Sequence, residues 1–239
     1  MSAQKPTIVL VHGAFADSSS WNGVVARLRS HGYPVVAASN PLRGLTEDSA
    51  YVRQLLESID GPVVLAGHSY GGSVISNAAT GLDHVKALVF VAAFLPEEGE
   101  SAVDLSGKFP GSTLGETLRP VPVTLPDGSR AADLYIEQSR FHQQFAADVP
   151  EETTAVMAAT QRPVADAALA EGASAPAWKD IPSWVLVAAD DRNIPAQVQT
   201  YMAERAKATV VHVTASHAAS VSRPGDVARL INEAAQATG

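Results

Sequence analysis

The stretch Leu65-Ala66-Gly67-His68-Ser69-Tyr70-Gly71-Gly72 decides how the rest of this sequence is interpreted. An apolar run precedes it, and a run with helical character, residues 73–79, follows. A Gly-x-Ser-x-Gly pattern between a buried strand and a helix is typical of a nucleophile elbow, a tight turn that holds its serine in strained backbone geometry. We therefore predict that Ser69 presents its hydroxyl at the C-terminal edge of a strand. The alternative is a glycine-rich turn with an inert serine.

Composition limits the kinds of protein to consider. The chain has 239 residues, 46% hydrophobic and 18% charged, which suits one domain with a large core. The net charge of −8, without a run of basic residues, argues against nucleic acid or an anionic membrane as a partner. There is no cysteine, so disulfides and thiolate metal sites are excluded. The N-terminal residues lack the apolar run of a signal peptide, and we expect a cytoplasmic protein.

Apolar runs and helical patterns alternate through most of the chain. Buried strands are predicted at residues 7–11, 35–38, 63–66, 85–91, 184–189 and 209–213. Such alternation predicts an α/β fold with a mostly parallel sheet of about six strands and helices on both faces. Ligands of such sheets bind at the C-terminal edge of the strands.

The alternation stops between residues 95 and 181. This stretch contains several prolines, the turn signal Pro126-Asp127-Gly128-Ser129, and short alanine-rich helical pieces around 131–147, 150–161 and 163–171. We predict an inserted helical lid here, with residues 1–94 and 182–239 forming the core.

A serine nucleophile requires a base, and seven histidines are available. His217 follows the last predicted strand and lies on the same edge of the sheet as Ser69, so we predict it to be the general base. His12 reaches the same edge but suits a loop-supporting role, and His68 should point away from the substrate. The remaining four, His31, His84, His142 and His212, lie elsewhere on the predicted elements.

The acid that orients the base is expected at the end of the penultimate strand. Asp190 and Asp191 both occupy that place, and a carboxylate there could fix the imidazole tautomer. We prefer Asp191, because the turn Arg192–Pro195 follows it, and keep Asp190 as the alternative. The order Ser69, Asp191, His217 differs from the orders of the trypsin-like and subtilisin-like enzymes.

An oxyanion that forms at Ser69 requires main-chain donors. One should be the N–H of Tyr70, the residue after the serine. The loop His12-Gly13-Ala14-Phe15 after the first strand should supply the other, from Ala14 or alternatively from Phe15. The competing interpretation of this loop is an ordinary strand-to-helix turn.

The segments Val9–Phe15, Gly67–Gly72, Asp191–Pro195 and Ser216-His217 together resemble the α/β-hydrolase superfamily. More closely, they resemble small lidded bacterial esterases akin to the plant methylesterase and hydroxynitrile lyase branch. The first strand here corresponds to the third of that family's eight, which implies a six-stranded core. The resemblance also strengthens Asp191 as the acid.

The sequence-based hypothesis is therefore a serine hydrolase that cleaves small to medium apolar carboxylic esters through an acyl-enzyme, without metal or cofactor. Phe15 and Trp178 are predicted substrate-binding residues, with Tyr70 near the nucleophile. Other apolar candidates in the lid are Phe141, Phe145, Met157 and Leu169. A monomer or homodimer is expected. The alternatives are a lyase that uses the same residues, with Lys108 or Lys179 folded inward, and a non-catalytic ligand-binding receptor.

Overall fold

The elements of the fold are taken from a computed structural model that describes residues 5–239; residues 1–4 of the N-terminal segment lie outside the described part. The strands are β1 (Thr7–Val11), β2 (Val35–Ala38), β3 (Val63–His68), β4 (Val85–Val91), β5 (Leu118–Thr124), β6 (Arg130–Ile136), β7 (Val164–Ala165), β8 (Ser183–Ala188) and β9 (Thr209–Val213). The α-helices are α1 (Asn22–Ser30), α2 (Leu45–Glu57), α3 (Tyr70–Ala78), α4 (Ala102–Ser106), α5 (Gln138–Phe145), α6 (Glu151–Thr160), α7 (Asp166–Ala170), α8 (Ala196–Arg205), α9 (Ala219–Ser222) and α10 (Pro224–Ala237). Short 3-10 helices span Ser18–Trp21, Leu114–Thr117 and Ala177–Lys179.

The core is a six-stranded sheet in the order β2-β1-β3-β4-β8-β9. Every neighbouring pair in it is parallel, which confirms the predicted sheet. The chain goes from β1 outward to β2 and then returns to the other side of β1 with β3. This reversal opens a crevice beyond the C-terminal ends of β1 and β3, where ligands of such sheets bind.

Both faces of the sheet are covered, as predicted. Successive side chains of a strand point to opposite faces, and in β1 Val9 and Val11 join one apolar cluster while Ile8 and Leu10 join the other. Helices α2, α3 and α8 pack on the first face, and α1 and α10 pack on the second. This double burial explains why the central strands are continuous apolar runs. No helix within residues 5–239 combines the length and apolar character needed to cross a membrane.

Residues 95–181, here called the insert, lie between β4 and β8 and are only partly helical. They contain α4 to α7 and a second sheet, in the order β5-β6-β7, whose pairs are antiparallel. The prediction of a helix over 131–147 is wrong in its first half, because Arg130–Ile136 is strand β6 and α5 begins only at Gln138.

The predicted turn at 126–129 explains the difference. It folds β6 back onto β5, with the Leu125 N–H donating to the Ser129 carbonyl at 2.9 Å. Seven residue pairs along the hairpin, from Leu118↔Ile136 to Thr124↔Arg130, then outweigh the helical preference of Ala131 and Ala132. The helix expected near 150–161 is present as α6, whereas the one expected near 163–171 is only the short α7, because Val164–Ala165 pairs with β6 as strand β7.

Candidate active site

Ser69 occupies the turn between β3 and α3. Its backbone has φ 55° and ψ −126°, a strained region for a residue other than glycine. The turn is tight, because a Cβ on Gly71 would lie 2.5 Å from the Val11 carbonyl oxygen at the end of β1. Ser69 is 7% exposed and borders a cavity. This geometry matches the elbow predicted from the sequence.

Asp191 and His217 meet at the same edge of the sheet. His217 Nδ1 lies 2.7 Å from Asp191 Oδ2, and both side chains are buried. The other oxygen of the Asp191 carboxylate, Oδ1, accepts the main-chain N–H groups of Asn193 at 2.7 Å and Ile194 at 3.0 Å. Asp190 is exposed, and its main-chain N–H binds the Ala215 carbonyl. The structure therefore pairs His217 with Asp191 and leaves Asp190 outside.

The contact on Nδ1 leaves Nε2 as the free nitrogen of the His217 ring. Among the hydrogen bonds of residues 5–239 there is none between this nitrogen and Ser69 Oγ. Hydrogen bonds between a nucleophile and its general base are often formed fully only in the complex with substrate. The loop of His217 packs against the elbow, because the ring of His68, the residue before Ser69, lies 4.7 Å from the His217 ring between centroids.

His68 joins the turn at Ser69 to the loop of His217. Its Nε2–H donates to the His217 carbonyl oxygen at 2.8 Å, and its ring packs edge-on against Trp21 and Phe145. Burial, followed by the charge that His217 can carry, lowers the pKa of His68 to about 3. His68 is therefore neutral near pH 7. It points away from the cavity, as the sequence predicted.

His12 supports the loop after β1, also as predicted. Its Nδ1–H donates to the Gly13 carbonyl at 2.9 Å, and its Nε2 accepts the Asn40 N–H at 3.0 Å. Burial lowers the pKa of His12, so the neutral ring can accept as well as donate. Gly13 lies directly against the elbow, since a Cβ there would be 2.6 Å from Ser69 Cβ. The loop can approach Ser69 this closely only with glycine at position 13.

This loop distinguishes between the two predicted main-chain donors. The Phe15 N–H donates to the Arg162 carbonyl of the insert at 3.1 Å and is therefore engaged. Within residues 5–239, the N–H groups of Ala14 and Tyr70 have no protein acceptor. Ala14 and Tyr70 are thus the free donors beside Ser69, and Phe15 is not.

A cavity of about 180 Å³, here called the inner cavity, opens next to Ser69. Its walls come from the core and from the insert and carry no charged side chain. They consist of Ala14, Phe15, Ser69, Tyr70, Phe94, Ala102, Val103, Ser106, Ser112, Leu114, Gly115, Leu118, Leu169, Asn193 and Ile194. Of the predicted substrate-binding residues, Phe15 lines this cavity. Of the other apolar candidates in the insert, Leu169 does so too.

Trp178 is not part of the inner cavity, and we withdraw it as a substrate-binding residue. Its Nε1–H donates to the Pro96 carbonyl at 2.8 Å, and the Arg205 guanidinium lies 5.5 Å from its ring centroid. These contacts hold the indole at the base of the insert. Lys179 pairs with Glu97, and Lys108 lies over the Tyr201 ring. Neither of the lysines considered for a lyase therefore lines the inner cavity.

Two buried glutamines complete the site and escaped the sequence analysis. Gln199 of α8 donates from Nε2 to Asp191 Oδ2 at 2.9 Å, the oxygen that also contacts His217. Gln144 of α5 donates to Asn193 Oδ1 at 2.8 Å and to the Arg192 carbonyl at 3.0 Å. Single glutamines within helices carry no recognisable motif, so no signal in the sequence could have identified them.

The arrangement can be compared with known proteins. The sequence model of the alpha/beta hydrolase family matches residues 8–230, which is most of the chain. This chain belongs to the alpha/beta hydrolase family. Its membership agrees with the parallel sheet, the strained serine between β3 and α3, and the buried Asp191–His217 contact.

Individual relatives extend over nearly the whole of this hydrolase. An alpha/beta hydrolase, nvfD, from Aspergillus novofumigatus is 29% identical and covers 97% of both chains. A pyrethroid hydrolase from Sphingobium wenxiniae is 27% identical over 96% of this chain and 88% of its own. The structure of polyneuridine aldehyde esterase superposes with a TM-score of 0.83 at 21% identity, covering 96% of this chain and 99% of the esterase. The similarity to polyneuridine aldehyde esterase is evidence for the fold alone.

These matches confirm the family, the fold and the class of enzyme that the sequence predicted, an ester hydrolase of the α/β-hydrolase superfamily. They do not address individual residues. The roles of Ser69, Asp191 and His217 therefore remain predictions.

Proposed function

We propose that this hydrolase cleaves small to medium apolar carboxylic esters through an acyl-enzyme on Ser69. The observation that carries the proposal is the 2.7 Å contact between His217 Nδ1 and Asp191 Oδ2, buried at the sheet edge where the elbow presents Ser69. The two relatives reported above, both named as hydrolases, support the same reaction class.

In this mechanism Ser69 Oγ attacks the ester carbonyl carbon while His217 Nε2 accepts the hydroxyl proton. Asp191 holds the tautomer with hydrogen on Nδ1 and stabilises the imidazolium that forms. The bond between the carbonyl carbon and the alcohol oxygen then breaks, and that oxygen takes the proton from Nε2. Water, activated by the same nitrogen, releases the acid and restores Ser69.

The negative charge that develops on the carbonyl oxygen would be stabilised by the N–H groups of Ala14 and Tyr70. Both donors are held before substrate arrives, one by the His12–Asn40 hydrogen bonds and the other by the start of α3. Donors fixed in this way cost no reorganisation during the reaction. They are therefore the proposed oxyanion hole.

The inner cavity determines the kind of substrate. Its walls are apolar with a few hydroxyls and one amide, so an ionised group would lose its hydration there without gaining a counter-ion. We therefore assign it an uncharged apolar part of the ester. Because Val103, Leu114, Leu118 and Leu169 come from the insert, residues 95–181 act as a lid over the site in this proposal.

The test is active-site labelling combined with pre-steady-state kinetics. A fluorophosphonate probe should label the wild type once per chain, and p-nitrophenyl butyrate should give a burst of p-nitrophenol. Ser69→Ala should abolish both signals. Ser76→Ala is the matched control, because Ser76 is buried in α3, the helix that follows Ser69, and its hydroxyl has no partner within residues 5–239.

Labelling that persists in Ser69→Ala would refute the assignment of Ser69 as the nucleophile. Cleavage of a cyanohydrin, with no ester hydrolysis and no burst, would favour the lyase alternative. Binding of esters without turnover in the wild type would favour a receptor.

A further inference from the structure

A second and larger cavity lies on the other side of Phe15. Its volume is about 400 Å³, and we call it the outer groove. It is formed between the loop after β1 and helix α6 of the insert. Its lining residues are Phe15, Ala16, Asp17, Ser19, Ser20, Asn22, Glu152, Thr153, Val156, Met157, Thr160, Gln161 and Val221. Phe15 is the one residue common to this lining and to that of the inner cavity.

Phe15 is built as a partition between the two spaces. Its side chain is 3% exposed, and its backbone adopts a positive φ of 61°, unusual for a residue with a bulky side chain. The hydrogen bond from its N–H to the Arg162 carbonyl holds this conformation. The aromatic ring is thereby fixed between the inner cavity and the outer groove.

The chemistry of ester cleavage indicates that the outer groove and the inner cavity bind different halves of the ester. The two halves of an ester diverge from the carbonyl carbon, and the alcohol oxygen must receive its proton from the general base. The outer groove lies on the side of His217, because Val221 of α9, which follows the His217 loop directly, forms part of its wall. No residue of α9 lines the inner cavity, whose walls come from the elbow, from Asn193 and Ile194, and from the insert.

We propose that the outer groove binds the alcohol half of the ester, that the inner cavity binds the acyl half, and that Phe15 controls passage between them. This inference rests on the proposed function. The groove combines apolar side chains, Phe15, Val156, Met157 and Val221, with the carboxylates of Asp17 and Glu152 and with no basic side chain. The alcohol half is therefore of substantial size, apolar near the ester bond, and uncharged or cationic at its far end.

Two isomeric esters, hexyl acetate and methyl heptanoate, test the assignment. They have the same formula but place the long chain on opposite sides of the ester bond. The quantity to measure is the ratio of kcat/KM for hexyl acetate to kcat/KM for methyl heptanoate, by titration of the released acid. Met157→Trp, which fills the outer groove, should lower this ratio about tenfold, and Leu169→Trp, which fills the inner cavity, should raise it.

Charge selectivity is tested by a second matched pair of substrates. Acetylcholine and 3,3-dimethylbutyl acetate have the same shape but differ by one positive charge on the alcohol half. The wild type should prefer the cation by about two- to fivefold at low salt, because the groove carboxylates are partly exposed and screened. Glu152→Gln should reduce that preference.

The outcomes separate the groove from the reaction itself. Suppose that the wild type hydrolyses both isomers through Ser69. If Met157→Trp then leaves the ratio of kcat/KM values unchanged, or moves it in the same direction as Leu169→Trp, the groove assignment is wrong. The proposed esterase function is not affected by that result. If neither ester is hydrolysed in a Ser69-dependent manner, the proposed function is wrong. Should Met157→Trp unfold at the assay temperature, Val156→Trp fills the same groove from a side chain that is 63% exposed.

Discussion

At the core edge, the Asp191 carboxylate accepts hydrogen bonds from Asn193, Ile194, Gln199 and His217. The insert contributes to the same site mainly through half-buried apolar side chains, among them Leu114, Leu118 and Leu169. Directional bonds fix atoms to within tenths of an ångström, whereas apolar walls tolerate changes of shape. If the proposed mechanism is correct, the core fixes the reacting groups and the insert determines the choice of substrate.

The largest effect on kcat is expected when the two neighbouring aspartates at the edge of the core sheet are replaced one at a time by asparagine. Asp191→Asn should lower kcat about 10⁴-fold, because the amide nitrogen faces the Nδ1–H of His217 and favours the wrong tautomer. Asp190→Asn should leave kcat close to the wild type, since that carboxylate is exposed and does not contact His217. Steady-state kinetics on p-nitrophenyl butyrate compares the two, and an equal loss in both would contradict the assignment.

The next largest effect concerns stability in acid. The pKa of His68 is about 3 in the folded protein, against an ordinary value of 6.5. Below about pH 6.5 the unfolded chain therefore binds a proton that the folded chain does not, and stability falls as the pH falls. Between pH 7 and pH 5 this difference costs about 2 kcal/mol.

His68→Phe should remove that part of the pH dependence, although the variant is less stable at pH 7 because it lacks the hydrogen bond to His217. Urea unfolding at pH 7 and pH 5 measures the change in the free energy of unfolding. His31→Gln, which replaces an exposed histidine, should retain the wild-type dependence. If His68→Phe also retains it, the buried neutral histidine is not the cause.

The two glutamines test the comparison directly, because one belongs to the core and the other to the insert. Gln199→Met removes a donor from Asp191 Oδ2, which leaves more negative charge facing the imidazolium. We expect kcat to fall about tenfold and the acid limb of the kcat/KM profile to move to higher pH. Gln144→Met makes the same change of side chain, but Gln144 contacts Thr113, Arg192 and Asn193 and not Asp191, so the limb should not move. A shift in both variants would mean that the effect is purely structural.

The smallest effect is expected at Trp178. Trp178→Phe loses the hydrogen bond to Pro96, which should cost about 1 kcal/mol of stability. KM should stay within about twofold of the wild type, because the indole does not line the inner cavity. A large rise in KM would restore Trp178 to the substrate site.

The sequence predicted the core well because its strands are buried on both faces. A continuous apolar segment such as Thr7–Val11 can bury the side chains of both its faces only in a sheet that is covered on both sides. Its composition therefore predicts a strand of such a sheet. That Ser69, Asp191 and His217 all follow C-terminal ends of strands at one edge of the sheet is a consequence of the parallel direction of the strands. The insert carries no such signal, since Arg130–Ile136 is a strand made largely of residues with weak β preference.

Tertiary contacts account for the remaining differences. Pro120 and Pro122 argue against a strand, yet β5 is an edge strand of the insert sheet and can leave proline nitrogens unpaired. Trp178 is apolar and belongs to the insert, but its place depends on Pro96 and Arg205, remote in the chain. The functions of Gln144 and Gln199 likewise depend on contacts that exist only after folding.

The hydrogen bond between the Phe15 N–H and the Arg162 carbonyl joins two main-chain atoms. Substitution of either side chain by any residue except proline at position 15 leaves both atoms in place. A lineage of such enzymes could therefore vary the side chains at 15 and 162, within what the positive φ of residue 15 allows, while the junction between the insert and the loop after β1 stays intact. In this hydrogen bond the main-chain atoms must be kept in place, whereas the side chains at the two positions can change during evolution.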